Sequence, residues 1–365
     1  MYASPLRASE CSTYRSTLGL SRATRRDLTP IIKGAVMKIR ICVLTLVTLG
    51  GLAAHAAEYK APRLADGSPD LQGVWTNASL TTLLRSSQFK SNVVSAEEAR
   101  RIENQRAAYS ARSLAPTDPN APAPPVGGNV GGYNSFFTDA GERLAQVKGQ
   151  YRTTWLVDQE NGQLPYSAAG RRMFETKLAF TRNNMDGPEA RPMAERCIVG
   201  FGSTGGPPMI NVLYNNHYQI VQSRDTVVIL VEMNHDARII RLNAKHPPDR
   251  VRPWLGDSVG HWEGDTLVVE TTNFNPGESL RTNFEQSFYI SPNAKVIERF
   301  TRIAARTLQY EFTVDDPETY TQPWRGDMVM QVADGNIYEY ACHEGNYALP
   351  GILAGAREEE RAASN

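Results

Sequence analysis

A chain of 365 residues, 41% apolar and 21% charged, is long enough to bury one large core or two small ones and too ordinary in composition to be fibrous or disordered. Its 39 Lys/Arg and 39 Asp/Glu cancel, but residues 1–57 hold eight of the former and two of the latter, so a chain starting after them has 31 basic against 37 acidic groups, net −6. Such a chain, with no basic cluster longer than a pair such as Arg100-Arg101, is a poor match for nucleic acid, whose phosphates require clustered Lys/Arg.

Residues 1–36 carry scattered arginines and no apolar period, and read as a leader or a misassigned start. From Met37 a signal peptide is expected over 37–57: Lys38 and Arg40 make the basic region, Ile41 to Ala54 the apolar stretch, and Ala54-His55-Ala56-Ala57 the small-residue cleavage site. The mature chain then begins at Glu58. The apolar stretch is shorter than the about 20 residues a membrane span needs and no second one follows, so no span is expected after cleavage. A periplasmic or extracellular location follows. Cleavage also removes Cys11 and Cys42, and in an oxidising compartment the remaining Cys197 and Cys342 are expected to form a disulfide.

Residues 58–210 predict an extended and helical region packed on a sheet. Turn-rich sequence from Ala61 to Ser79 contains one short apolar piece, Leu71 to Trp75. Ser95-Ala-Glu-Glu98 is a capping box opening a helix through about Ser110. Ala115 to Gly132, dense in Pro and Gly, reads as an exposed linker. Thr138 to Val147 and Ser167 to Phe180 each start on a hydroxyl and are spaced as helices. Gly200 to Pro208 lacks the lysine and the strand-to-helix setting of a phosphate loop, and reads as a flexible loop at the sheet rim.

Residues 211–365 switch to strand period, with a helix at the C-terminus. Tyr218–Gln222, Thr226–Met233, Ala237–Leu242, Thr266–Thr272, Lys295–Ile303, Thr307–Val314, Asp327–Val332 and Ile337–Cys342 alternate apolar and polar residues between turns. Glu263-Gly264-Asp265, Ala304-Ala305-Arg306 and Asp334-Gly335-Asn336 are the clearest turns. Eight strands at hairpin spacing predict a mainly β fold, an antiparallel meander closing into a barrel of calycin/lipocalin-like form around a cavity.

The stretches 214–221, 232–240, Gly256-Asp-Ser-Val-Gly-His-Trp-Glu-Gly-Asp-Thr-Leu-Val-Val269 and Ile337-Tyr-Glu-Tyr-Ala-Cys-His-Glu-Gly-Asn-Tyr347, with the opening 62–75, resemble a family of secreted bacterial proteins over nearly all of residues 60–357. The resemblance implies secretion and a single coherent unit, and it brings no substrate or catalytic residue with it.

The chemistry must therefore come from the residues. His343 follows a cysteine expected to be clipped and precedes Glu344, which makes this pair the first candidate for proton transfer. Glu232, Asn234, Asp236 and Arg238 alternate along an extended segment and would project a polar face into the barrel; alternatively Asn234-His235-Asp236 is only a hairpin tip. His246 beside Pro247-Pro248 reads as solvated and His261 as a strand-end residue. His217, His235, His261, His343 and Glu344 could meet in a closed barrel, yet no spacing calls for a metal or any cofactor. The tyrosines, with Trp254 and Trp324, read mainly as core, a minority suiting an aromatic or sugar ligand.

The expected function is a secreted enzyme, hydrolase or lyase, acting on a small molecule or glycan by His/carboxylate acid–base chemistry in a barrel pocket. The catalytic candidates are His343, Glu344, His235, Asp236, Glu232 and Arg238. The alternative is a non-catalytic ligand-binding barrel of the cell envelope.

Overall fold

The computed structural model describes residues 59–116, 120, 122–123, 125, 138–283 and 286–364, which belong to one compact unit. The expected leader (1–36), the expected signal peptide (37–57) and most of the expected 115–132 linker lie outside them. In chain order the elements are β1 (Gly73–Thr76), β2 (Val93–Val94), α1 (Ala96–Ser113), β3 (Gln146–Val147), β4 (Gln150–Arg152), α2 (Ala168–Asn183), β5 (His217–Gln222), β6 (Thr226–Val231) and β7 (Ala237–Leu242). Then follow β8 (Asp257–Glu263), β9 (Thr266–Thr272), β10 (Leu280–Arg281), β11 (Phe288–Tyr289), β12 (Lys295–Ala304), β13 (Thr307–Asp315), β14 (Trp324–Val332) and α3 (Ala348–Ala363).

The expected mainly β, closed barrel is what the chain forms, with nine staves in the order β1-β14-β13-β12-β9-β8-β7-β6-β5 and β5 returning to β1. Period-two alternation builds it: Val227, Ile229 and Val231 on β6, Val296, Glu298 and Phe300 on β12, and Leu308, Tyr310, Phe312 and Val314 on β13 are buried, while their neighbours are less so. Inside, Phe300 stacks on Tyr310 with ring centres 4.9 Å apart, and Trp324 meets Phe312 edge-on at 5.8 Å. Gly326, paired with Phe312, makes the space, because a Cβ there would lie 2.1 Å from the ring. Side chains thus fill the interior where a ligand cavity was expected.

The meander is broken once. β7 and β8 pair in parallel, and parallel neighbours cannot be joined by a tight turn, so residues 243–256 cross over the barrel end. Gly256 ends the crossover at φ +74, where a Cβ would meet Thr271 Cγ2 and the Thr272 carbonyl at 2.8 Å.

Ser95 and Ser167 cap α1 and α2, accepting the amides of Glu98 (3.1 Å) and Gly170 (2.9 Å). Three expectations are corrected. Residues 138–147 are not helical: the amides of Asp139, Leu144 and Ala145 bond to Leu213 O, Glu103 Oε1 and Thr81 Oγ1, so the segment is laid against neighbours before β3. Ile337–Cys342 is not a strand, because β1 already occupies the edge of β14 through Trp75↔Val332 and Thr76↔Gln331. The 200–208 loop does not lie exposed at a rim. Residues 202–210 are buried, the Met209 amide donates to Tyr310 Oη (2.8 Å), and the segment plugs the barrel.

Cys197 and Cys342 are bonded, across a sequence separation of 145. On the chain-entropy account a loop of that size contributes about 5 kcal/mol before strain is subtracted. Denatured protein beginning at Glu58 is expected to show no titratable thiol, and two thiols would remove the clip. Among the described residues no helix is long and apolar enough to cross a membrane.

Candidate functional site

The 243–256 crossover has a consequence beyond topology. Pro253, Trp254 and Leu255 stand away from the barrel end, and between them and β7 lies a cleft of about 460 Å³, walled also by Ile198 and Val199. Asp236, Arg238, Asp257 and Ser258 are also among its lining residues. Trp254 is 40% exposed, an unusual degree for so large an apolar side chain.

Asp236 follows two residues in the left-handed region, Asn234 (φ 59) and His235 (φ 45), which turn β6 into β7. Asn tolerates that conformation well, which accounts for its place in the turn. One carboxylate oxygen of Asp236 accepts the Gly200 amide at 2.7 Å. Burial pushes its pKa up to about 6, against the Gly200 amide, the Asn234 side chain and the charges of His235 and Arg281. Glu278, buried beside Arg281 at 3.0 Å, is also lifted well above the carboxylate range, by burial first, with Asp236's negative charge adding to it.

Arg238 points into the barrel. Its guanidinium forms a forked pair with Glu298, one arm at 2.9 Å, and reaches Ser258 Oγ at 3.4 Å. Both ends of the pair are buried, at 1% and 0% side-chain exposure. The Tyr310 hydroxyl donates to Glu298 Oε1 at 2.7 Å, so a continuous polar chain runs from the Met209 plug through Tyr310, Glu298 and Arg238 to the cleft. Asp257 forms a second group at the cleft, held by both oxygens to Arg241 (2.9 and 2.8 Å) and by His246 Nδ1 at 2.7 Å. His246 is therefore an engaged residue, its side chain 21% exposed, where a solvated one was expected.

The sequence candidates divide. Asp236 and Arg238 reach the same cleft, but Glu232 does not join them, because the two left-handed residues end the extended run at the turn. Arg238 pairs with Glu298 on β12. His235 is exposed at the hairpin tip. His343 and Glu344 are exposed on a turn after the disulfide and line neither this cleft nor the one beside Cys342. His261 pairs on the surface with Glu263 at 3.1 Å. Among the described residues no group of three or more His, Cys, Asp or Glu is placed to hold a metal ion.

Glu232 instead serves His217. His217 Nδ1 lies 2.8 Å from Glu232 Oε2 and 3.7 Å from Asp139 Oδ2, and Glu232 Oε1 accepts the Tyr338 amide at 3.2 Å. The Glu232 hydrogen bond raises the His217 pKa, with the charges of Glu232 and Asp139 adding to it against burial. Burial pushes Glu232 up, but His217 and the Tyr338 amide outweigh it and hold the carboxyl low. A histidine raised in the fold stabilises it fully below its unfolded pKa of about 6.5, and that contribution is lost as pH rises through the folded value. The stability difference between wild type and His217→Gln is therefore expected to be larger at about pH 5.5 than at about pH 8.5, measured by urea unfolding, and a pH-independent difference would show that His217 is not charged in the fold.

Set against family models, curated proteins and solved structures, the chain matches none, the calycin and lipocalin folds included. The functional reading rests on the cleft.

Proposed function

We propose that this protein is a secreted enzyme, periplasmic or extracellular, that processes a small molecule or glycan as a hydrolase or lyase in the cleft beside the 243–256 crossover, with Asp236 as the proton-transferring group. The observation that carries the reading is the convergence of a fixed, partly desolvated carboxyl and an exposed tryptophan face in one cleft. A carboxyl that titrates near neutrality both donates to a leaving-group oxygen and takes a proton from water or from carbon. Arg238, whose guanidinium is held inside the barrel by Glu298, fixes the β7 wall beside Asp236. Trp254 offers the flat apolar surface on which a sugar or aromatic ring rests.

His343 has no part in this reading, which assigns the acid–base work to Asp236 and leaves His246 as the residue that orients Asp257. Disulfide and signal-like sequence support export, and the family of secreted bacterial proteins that the motifs resemble supports it as well. A purely ligand-binding barrel is the weaker reading, because the lumen that would hold the ligand is packed with Tyr310, Phe300 and Phe312.

The test is a panel of 4-nitrophenyl glycosides and esters and of uronate polysaccharides, the last followed by the absorbance of unsaturated products. Turnover by the wild type is expected to fall by about 10²–10⁴-fold in Asp236→Asn, and Trp254→Ala is expected to raise KM more than it lowers kcat. Turnover that survives in Asp236→Asn assigns the chemistry elsewhere.

A further inference from the structure

A second cleft, of about 550 Å³, shares Val199 with the first and opens beside the disulfide. Phe201, Tyr214, Tyr340, Leu349 and Ile352 supply its apolar wall. The carboxylate and the side-chain amide of its lining are already engaged. The Glu195 carboxylate holds the Arg191 guanidinium through both oxygens, at 2.9 and 3.1 Å, and the Asn346 amide donates to Glu195 O at 2.8 Å while its oxygen accepts the Leu349 amide at 3.3 Å. A charged ligand entering here would lose its hydration and find no free counter-charge among these groups, so affinity must come from apolar area. Phe201 and Tyr214 lie nearly parallel, at 13° with ring centres 6.2 Å apart, so this part of the wall is an aromatic pair. The cleft is pre-organised as well, because the Cys197–Cys342 bond ties the wall formed by residues 194–201 to the wall formed by 340–346.

We propose that this cleft is a binding site for an uncharged aromatic small molecule, separate from the catalytic cleft and independent of what that cleft does. Its size falls within the about 300–1,000 Å³ that small-molecule sites occupy. Ring stacking against Phe201 and Tyr214 supplies the preference for a flat ligand over a flexible chain, since aromatic pairs gain beyond their area burial.

The test uses N-phenyl-1-naphthylamine, an uncharged fluorophore that brightens on leaving water, titrated into the full mature chain. Saturable binding at one site per chain is expected. Ile352→Glu, on a helix with no buried residue and so tolerant of the change, is expected to weaken binding by about tenfold or more. Phe201→Leu, which keeps apolar bulk and removes the ring, is expected to weaken it by about two- to tenfold. 1-Naphthol should displace the probe at lower concentration than 1-decanol, and reduction of the disulfide should loosen binding. Binding unchanged in both variants overturns the proposal, as does equal displacement by 1-decanol. So does loss of binding in Trp254→Ala, which would place the probe in the other cleft.

Discussion

Replacing Glu298 by glutamine is expected to destabilise the fold by about 3–5 kcal/mol, because it leaves Arg238 charged, buried and facing a neutral amide inside the barrel. For a chain of this size that corresponds to a melting temperature lower by roughly 1–2 °C per kcal/mol, read by calorimetry or circular dichroism. The loss reflects the abandoned partner and not the net worth of the ion pair. Removing both charges together, as Arg238→Met with Glu298→Leu, should recover most of the stability, less about 1 kcal/mol for each hydrogen bond that the Tyr310 and Ser258 hydroxyls forfeit. A single Glu298→Gln variant within about 1 kcal/mol of wild type would mean that water reaches Arg238 through the cleft and that the polar chain from the plug is not sealed.

Asp236→Asn is expected to do the opposite to the fold while abolishing the proposed chemistry. In the unfolded chain the carboxyl ionises near 4, and in the fold near 6. Below the lower value both states hold the proton and nothing changes. Between the two values the fold keeps a proton that the unfolded chain has lost, so stability falls as pH rises through this window, and above about pH 6 a constant deficit remains, at most about 3 kcal/mol. Asparagine keeps an oxygen for the Gly200 amide and has no charge to bury. The variant should therefore be as stable as wild type at pH 4 and more stable at pH 7, and denaturant midpoints at the two values decide it. Greater stability with lost turnover is the pattern of a functional group held at a cost to the fold. A destabilised variant would show Asp236 to be a structural acceptor for Gly200.

The barrel was largely legible, because Val, Ile, Tyr and Phe alternate cleanly through β6, β12 and β13, and the Gly264 turn and the 304–306 turn separate hairpins as expected. The parallel β7–β8 pair was not, since period two is the same in either direction and only the length of the 243–256 link hints at a crossover. The Ile337–Cys342 alternation misled for a related reason: a strand needs a free edge, and whether β14 offers one depends on four residues from the other end of the chain. At the site, Asp236 and Arg238 stood out as polar residues within an apolar stretch, and the disulfide followed from cysteine count and compartment. Glu298 carries the same kind of signal, a carboxylate on the apolar face of Val296-Glu298-Phe300. The partnership of His217 with Glu232 had no local signal, as it joins the two open ends of the β5–β6 hairpin, 15 residues apart. His343 drew notice because a covalent clip stands beside it, but a clip fixes a backbone and does not decide which way the next side chain faces.

The stave that closes the barrel, Gly73–Thr76, comes from about 140 residues before the strand it pairs with on one side and about 250 before its partner on the other. Until β14 has been made, the sheet has two open edges and no enclosed interior, so neither Arg238 nor Glu298 is shielded from water. Contacts so distant along the chain form slowly and late. Under the export proposed above the polypeptide must stay unfolded in transit, and this topology delays folding by its own geometry: nearly the whole chain has to arrive before the first complete turn of the barrel can be drawn shut.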